Sequence, residues 1–395
     1  MDFSFSADEQ QFRREIREFL EEAWPPEVRP ARRQGRELTP ARRAAVRRFR
    51  QKVAERGWYA LGWPAEYGGT PKFTPMERFI LSDECSRIEA PLSLYAVNIM
   101  GPLIIKYGSP WMKEEVLPLI RSGEIDFSLG FTEPETGSDL ANLQTRAVRD
   151  GDEYVINGQK IWTSGAREAD MMFALVRTEA DAGKHGGISY IVLSMDTPGI
   201  EVRPLMTMTG DASFNEVFFT DVRVPAMNVV GRPGQGWEVG TYTLRYERNM
   251  LGRSNATENY FDGCVDILRE TGLIESPVYR DRLLKLEGRV QAMKYHQLRL
   301  LTDMLKKRDS GAGGLIVKLN NCQLNYDICA LAIDGMAERG VLKRGSKHVR
   351  DYGNWQRNYM YALGLIIGGG TAQIQKNIIG ERGLGLPREP KPAAA

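Results

Sequence analysis

Histidine and cysteine are scarce in this chain, with three of the first and four of the second in 395 residues. His185, His296 and His348 stand too far apart in sequence to suggest a metal triad, and none is assigned a catalytic role. Cys85, Cys264, Cys322 and Cys329 form no CxxC pair, which fits a reducing compartment and argues against a zinc site or a disulfide frame. No apolar run approaches the roughly twenty residues that a membrane-spanning helix needs. The opening Met1-Asp2-Phe3-Ser4-Phe5 lacks a basic stretch followed by an apolar one, so no secretory signal is expected and the reading is a soluble, cytoplasmic chain. Charge is nearly balanced, Lys+Arg 53 against Asp+Glu 51, so the protein as a whole has no drive toward nucleic acid or membrane. No G-x-G-x-x-G follows a strand and no βαβ alternation is present, which excludes a Rossmann fold. There is no internal repeat.

What is present is an ordinary globular balance, 42% hydrophobic and 26% charged, in a chain long enough for two or three units. The first section is helical. Ser6 and Glu9 form a capping box, and Phe12, Ile16, Phe19 and Leu20 share one helical face. The nine arginines from Arg29 to Arg50 read as a solvated helix face rather than an anion-binding surface. Trp63–Gly69 breaks the helical pattern, which resumes around Pro75–Glu89 and Trp111–Ile120.

From about Glu124 the texture turns to β. Asp150-Gly151 and Asn157-Gly158 both signal hairpins, Ile188–Leu193 and Val217–Val224 are strands, and Pro198-Gly199 is a turn. Gly231–Gly236 is a hinge. Beyond it, Ser276-Pro277 starts a helix close to thirty residues long, in which Leu283, Leu286, Val290, Met293, Leu300 and Met304 keep helical spacing until Ser310-Gly311. A last helix begins near Thr371, and the tail Pro387–Ala395 is loose. The expected division is an N-terminal helical domain over 1–123, a middle β domain over 124–232 and a C-terminal helical bundle over 233–395.

Two stretches carry the densest chemistry. Phe131-Thr132-Glu133-Pro134-Glu135-Thr136-Gly137-Ser138-Asp139-Leu140 holds turn formers, hydroxyls and exposed backbone donors, a suitable lining for a polar planar ring. Asn157-Gly158-Gln159-Lys160-Ile161-Trp162-Thr163-Ser164-Gly165 sets an indole beside two hydroxyls. Taken alone, each reads equally as a plain loop.

Together they resemble the T-E-P-x-x-G-S-D and N-G-x-K-x-W segments of acyl-CoA dehydrogenases. Gly368-Gly369-Gly370-Thr371-Ala372-Gln373-Ile374-Gln375 is similar to the C-terminal G-T-x-Q-I-Q of that family. The resemblance runs through nearly the whole chain and implies an α+β fold: N-terminal helical domain, middle β-barrel and C-terminal four-helix bundle, with FAD between barrel and bundle. It implies that Phe131 and Thr132 touch the flavin pyrimidine edge, that Trp162 covers the ring, that Ser164 sits near N5 and that Ser138 faces the CoA side. Arg280 is similar to the arginine that meets FAD pyrophosphate across a subunit interface. Leu283-Leu284 replaces the usual Phe-Gly after it, so a plain surface arginine remains an equal reading.

The implied reaction removes a proton from the α-carbon of an acyl-CoA while a hydride leaves the β-carbon, which requires a carboxylate near the α-carbon. Most family members place a glutamate just before the Gly-Thr of the C-terminal motif. Here Gly369 stands there, and glycine takes no proton. A minority branch carries its base on a bundle helix before an arginine, and Leu244-Arg245-Tyr246-Glu247-Arg248 matches that place. Glu247 is therefore the expected base, against the alternative of a surface glutamate paired with Arg245 or Arg248. The Gly369 N–H is expected to polarise the thioester carbonyl, with Ser138, Arg248, Gly369 and Gly370 on the substrate side.

These features resemble the catalytic chain of mixed tetramers that act on sterol side chains, and imply a bulky or steroid-derived acyl-CoA. Ala330–Gly335 departs from the usual Q-I-F-G-G, which puts a symmetric homotetramer in doubt; a homologous subunit in a hetero- or homotetramer is the implied partner. An electron-transfer flavoprotein is the implied acceptor. The alternatives are a non-catalytic partner subunit and a flavin oxidase or monooxygenase on the same fold.

Overall fold

A computed structural model gives the fold; it describes residues 5–29, 40–70, 75–92, 95–251, 254–308 and 313–388, side chains at 245–256 excepted. The stop at Ser310-Gly311, part of the arginine-rich stretch and most of the tail lie outside the described residues.

The helix α1 (Ala7–Ala23) starts where the sequence places it. The Ser6 hydroxyl accepts from the Glu9 N–H, and the Glu9 carboxylate accepts from the Ser6 N–H at 2.7 Å. Its buried face, Ile16, Phe19 and Leu20, packs on Phe49 and Val53 of α2 (Pro40–Glu55) and on Ile80 and Leu81 of α3 (Pro75–Arg87). The short helices α4 (Gly101–Tyr107) and α5 (Leu117–Ser122) complete this layer and face the sheet.

Seven strands follow: β1 (Phe127–Gly130), β2 (Arg146–Asp150), β3 (Glu153–Ser164), β4 (Met171–Arg177), β5 (Ile188–Ser194), β6 (Ile200–Leu205) and β7 (Phe214–Pro225), with the single turn α6 (Gly183–Gly186) between β4 and β5. They form one curled sheet in the order β1-β4-β2-β3-β7-β6, with β5 also paired to β4. β4 is buried on both faces. Phe173 and Leu175 join the core under α4 and α5, whereas Met172, Ala174 and Val176 join the core inside the curl.

Two turn readings shift. Asp150 pairs with Glu153, so the hairpin turns on Gly151-Asp152 rather than Asp150-Gly151; Gly151 takes φ 57° at the first central position, where a primed turn wants glycine. Asn157-Gly158 is not a hairpin. It lies inside β3 at a register shift against β7, where the Asn157 amide grips Asp221 through Nδ2→Oδ1 at 3.0 Å and accepts the Asp221 N–H at 2.9 Å. Gly158 has φ 148°, and a Cβ there would fall 2.8 Å from the Thr145 Cα. Gly158→Ala is accordingly expected to lower stability by about 1–3 kcal/mol, readable as a lower urea midpoint at unchanged slope.

The C-terminal section is a bundle. α7 (Gly236–Leu251) lies against the sheet, and α8 (Ser254–Glu270), α9 (Pro277–Leu305), α10 (Gly313–Gly335) and α11 (Asn354–Ile367) pack around Leu286, Val290, Leu324, Ile328 and Trp355; α12 (Ala372–Ile378) follows, its start capped by the Thr371 hydroxyl. Met304 does not join this core and is 57% exposed. α10 begins opposite His296 and Leu300, where the Gly313 carbonyl meets the His296 ring at 2.8 Å, so the last turn of α9 overhangs its neighbour.

Candidate active site

The two chemistry-bearing stretches of the middle section are braced together. The Ile161 N–H donates to the Thr132 carbonyl at 2.9 Å. Beside that bond the Lys160 ammonium, fully buried, donates to the Glu133 carboxylate at 2.7 Å and to the Phe131 carbonyl at 3.2 Å. Glu133 also accepts the N–H groups of Gln144 at 2.6 Å and Thr145 at 2.9 Å. Burial alone would raise the Glu133 carboxyl, but the Lys160 charge and these donors hold it below its ordinary value. Burial pulls the Lys160 ammonium down to about 8, against the opposing pull of Glu133.

β3 gains one residue against β7 between Lys160 and Thr163. That bulge turns both Lys160 and Thr163 inward and sends Trp162 out, at φ 58° and 53% exposure. A large indole in the left-handed region costs about 1–3 kcal/mol and persists only where its surroundings enforce it. Here the enforcement is the brace on one side and Phe214 on the other, whose ring meets Trp162 edge-on at 5.9 Å. Phe214 stacks in turn on Tyr361 of α11, and Arg357 of α11 both covers Tyr361 and pairs with Asp211. The exposed indole therefore sits where the sheet meets the bundle.

Thr136 and Thr163 are buried, and each Oγ1 lacks a partner among the described residues; so does Oδ1 of Asn215, directly opposite Thr163 on β7. A buried polar atom left unpaired costs roughly 1–3 kcal/mol, and these three lie inside the fold, Thr163 turned inward where Trp162 is turned out.

The other candidates distribute as follows. The Phe131 ring is core, edge-on to Tyr190 at 5.8 Å and Phe173 at 6.2 Å, so any ligand contact falls to its backbone. Ser138 is exposed in the turn after Thr136, and Ser164 is half-buried at the end of β3 opposite Phe214. Arg280 lies in the first turn of α9, exposed, donating to Glu275 at 2.8 Å and to the Ile274 carbonyl at 3.2 Å; no contact among the described residues joins it to the middle-section stretches. Gly369 and Gly370 take φ 67° and 97° in the turn between α11 and α12. The backbone of Glu247 and Arg248 is helical, in α7, while their side chains lie outside the described residues.

Sequence reasoning passed over the Glu133–Lys160 pair although both residues stand inside the quoted motifs. A glutamate and a lysine 27 positions apart look like two surface charges until the strand fold-back brings them together. It also passed over Lys318 and Gln375, which bind the glycine turn.

Profiles of the acyl-CoA dehydrogenase N-terminal, middle and C-terminal domains match residues 6–124, 128–222 and 234–384. The chain belongs to the acyl-CoA dehydrogenase family and is an enzyme, an oxidoreductase acting on acyl-CoA. It is 36% identical over 349 residues to the acyl-CoA dehydrogenase IpdE1 of Mycobacterium tuberculosis, covering 87% of this chain and 89% of that one. Among solved structures it resembles a protein described as the Tcur3481-Tcur3483 steroid ACAD, with TM-score 0.86, 32% identity and coverage of 98% and 100%. It also resembles the ChsE4-ChsE5 complex from Mycobacterium tuberculosis, with TM-score 0.81, 32% identity and the same coverages.

Proposed function

We propose that this chain is the catalytic subunit of a heteromeric, FAD-dependent dehydrogenase that converts a bulky, steroid-derived acyl-CoA to its 2,3-enoyl-CoA. The observation that carries the cofactor is the exposed Trp162, forced out by the β3 bulge where the sheet meets the bundle. A planar, edge-polar flavin fits such a place. Thr132, Trp162 and Ser164 would hold it, with Arg280 reserved for its pyrophosphate in a neighbouring subunit. When bound, the flavin supplies the acceptor for the hydride that leaves the substrate β-carbon.

The remaining steps belong to this chain. The Glu247 carboxylate takes the α-proton, and the electron pair of that C–H bond forms the new double bond as the hydride departs. The Gly369 N–H donates to the thioester oxygen as negative charge gathers there. Arg248, Gly370 and Ser138 line the substrate side, and the glycines leave room for a wide acyl group. The names of two similar structures support the heteromer and the steroid class, since one is described as a steroid ACAD and the other as a complex of two chains. An electron-transfer flavoprotein is the proposed acceptor.

Anaerobic mixing of the flavin-loaded protein with acyl-CoAs of graded bulk tests the reading. A steroid side-chain acyl-CoA should bleach the flavin at least tenfold faster than a short straight-chain one. No bleaching by any acyl-CoA, either alone or with its homologous partner chain, would overturn it.

A further inference from the structure

The Gly368–Gly370 turn is pinned by two side chains that arrive from different helices. Lys318 of α10, 2% exposed, donates through Nζ to the Gly370 carbonyl at 2.6 Å and to the Ile366 carbonyl at 3.0 Å. Gln375 of α12, fully buried, donates through Nε2 to the Gly369 carbonyl at 3.0 Å. The Gly368 N–H is held on the Gly364 carbonyl at 2.7 Å. An ammonium and an amide are costly to bury, and here both donate to the backbone of one three-residue turn.

The geometric effect follows from the planar trans peptide. In each unit the N–H points opposite to the C=O. Fixing the carbonyls of Gly369 and Gly370 fixes two successive peptide planes, and fixing the Gly368 N–H closes the turn from the other end. The Gly369 N–H lies between these anchors. It has no acceptor among the described residues, and its own plane, shared with the Gly368 carbonyl, is flanked on both sides by anchored planes. A Cβ at Gly370 would fall 2.6 Å from the Gln375 Nε2, so a side chain there would push on the clamp itself.

We infer that Lys318 and Gln375 are positioning residues: together they hold the glycine turn so that the Gly369 N–H stays unpaired and aimed at the thioester oxygen. This rests on the acyl-CoA reading above and deepens it, by naming what replaces the rigidity that a larger side chain at residue 369 would bring. Each residue acts through the backbone, so its loss should be felt by ligands that carry a carbonyl and not by those that lack one.

The test compares two probes on the intact protein: 3-cyclohexylpropanoyl-CoA, a thioester, and the thioether made by alkylating CoA with the same carbon skeleton. In Lys318→Met and, separately, Gln375→Leu, thioester affinity should fall about tenfold, the cost of a displaced rather than deleted donor, while thioether affinity stays within about twofold. Equal weakening of both probes, or no weakening of either, would overturn the inference. Should the unaltered protein bind neither probe, the acyl-CoA reading itself fails. The positioning claim is then read from amide hydrogen exchange of the free protein: exchange across residues 366–376 should speed up in Lys318→Met with the centre of α10 unchanged, and unchanged exchange across 366–376 would refute it.

Discussion

Glu247→Gln should keep its flavin and lose turnover by about four orders of magnitude, with little change in acyl-CoA affinity. The amide has nearly the shape of the carboxylate but cannot accept the α-proton, so the loss falls on kcat rather than on binding. Gly369 has no side chain to take a proton, and no carboxylate stands in the Gly368–Gln375 motif. Flavin absorbance of the purified variant checks retention, and single-turnover reduction by acyl-CoA checks the chemical step. Near-normal reduction would remove Glu247 from the mechanism and move the search for the base elsewhere.

The second large effect concerns stability. Glu133→Gln should cost about 3–5 kcal/mol, because it strands the fully buried Lys160 ammonium without its counter-charge. The pH dependence has a definite sign. Glu133 is held below its ordinary value, so its contribution is present above about pH 4.5 and is lost as pH falls through its lowered value in the folded protein. Lys160 sits at about 8 against 10.5 unfolded, so between those limits the unfolded chain holds more protons and stability from this group rises with pH. In Glu133→Gln the opposing pull is gone and Lys160 sheds its proton more readily. The deficit should therefore be smaller at pH 9 than at pH 6, and the double variant with Lys160→Met should be more stable than the single. Urea melts at the two pH values decide it; a deficit that does not change with pH would show that the ammonium is not the source of the cost.

Local chemistry was legible in the sequence wherever a few neighbouring residues fix the backbone. Ser6 and Glu9 start a helix through their own side chains, and Thr371 does the same for α12. Signals that depend on what lies opposite were misread. Asn157-Gly158 has the composition of a turn, yet Asp221 on β7 grips the asparagine and draws the pair into a strand. Met304 keeps helical spacing, but periodicity carries no information on where a neighbouring helix begins. The site was legible as three motifs and not as an assembly. The bulge that expels Trp162, the buried pair beneath it and the clamps on Gly369 and Gly370 arise from contacts between segments far apart in the chain.

Strand β4 has one further consequence. Its alternate side chains are shared between two cores, as are those of β5, where Ile188, Tyr190 and Val192 look one way and Ile191 and Leu193 the other. The sheet thus owns no wettable outer surface on that side; the preceding helices and α7 are its skin. A fragment cut out at residues 124–232 would bare a continuous oily slab of phenylalanine, tyrosine and aliphatic groups and would clump rather than stand alone. The first two sections of the chain, together with α7, should thus melt as a single cooperative body, however cleanly the sequence divides them.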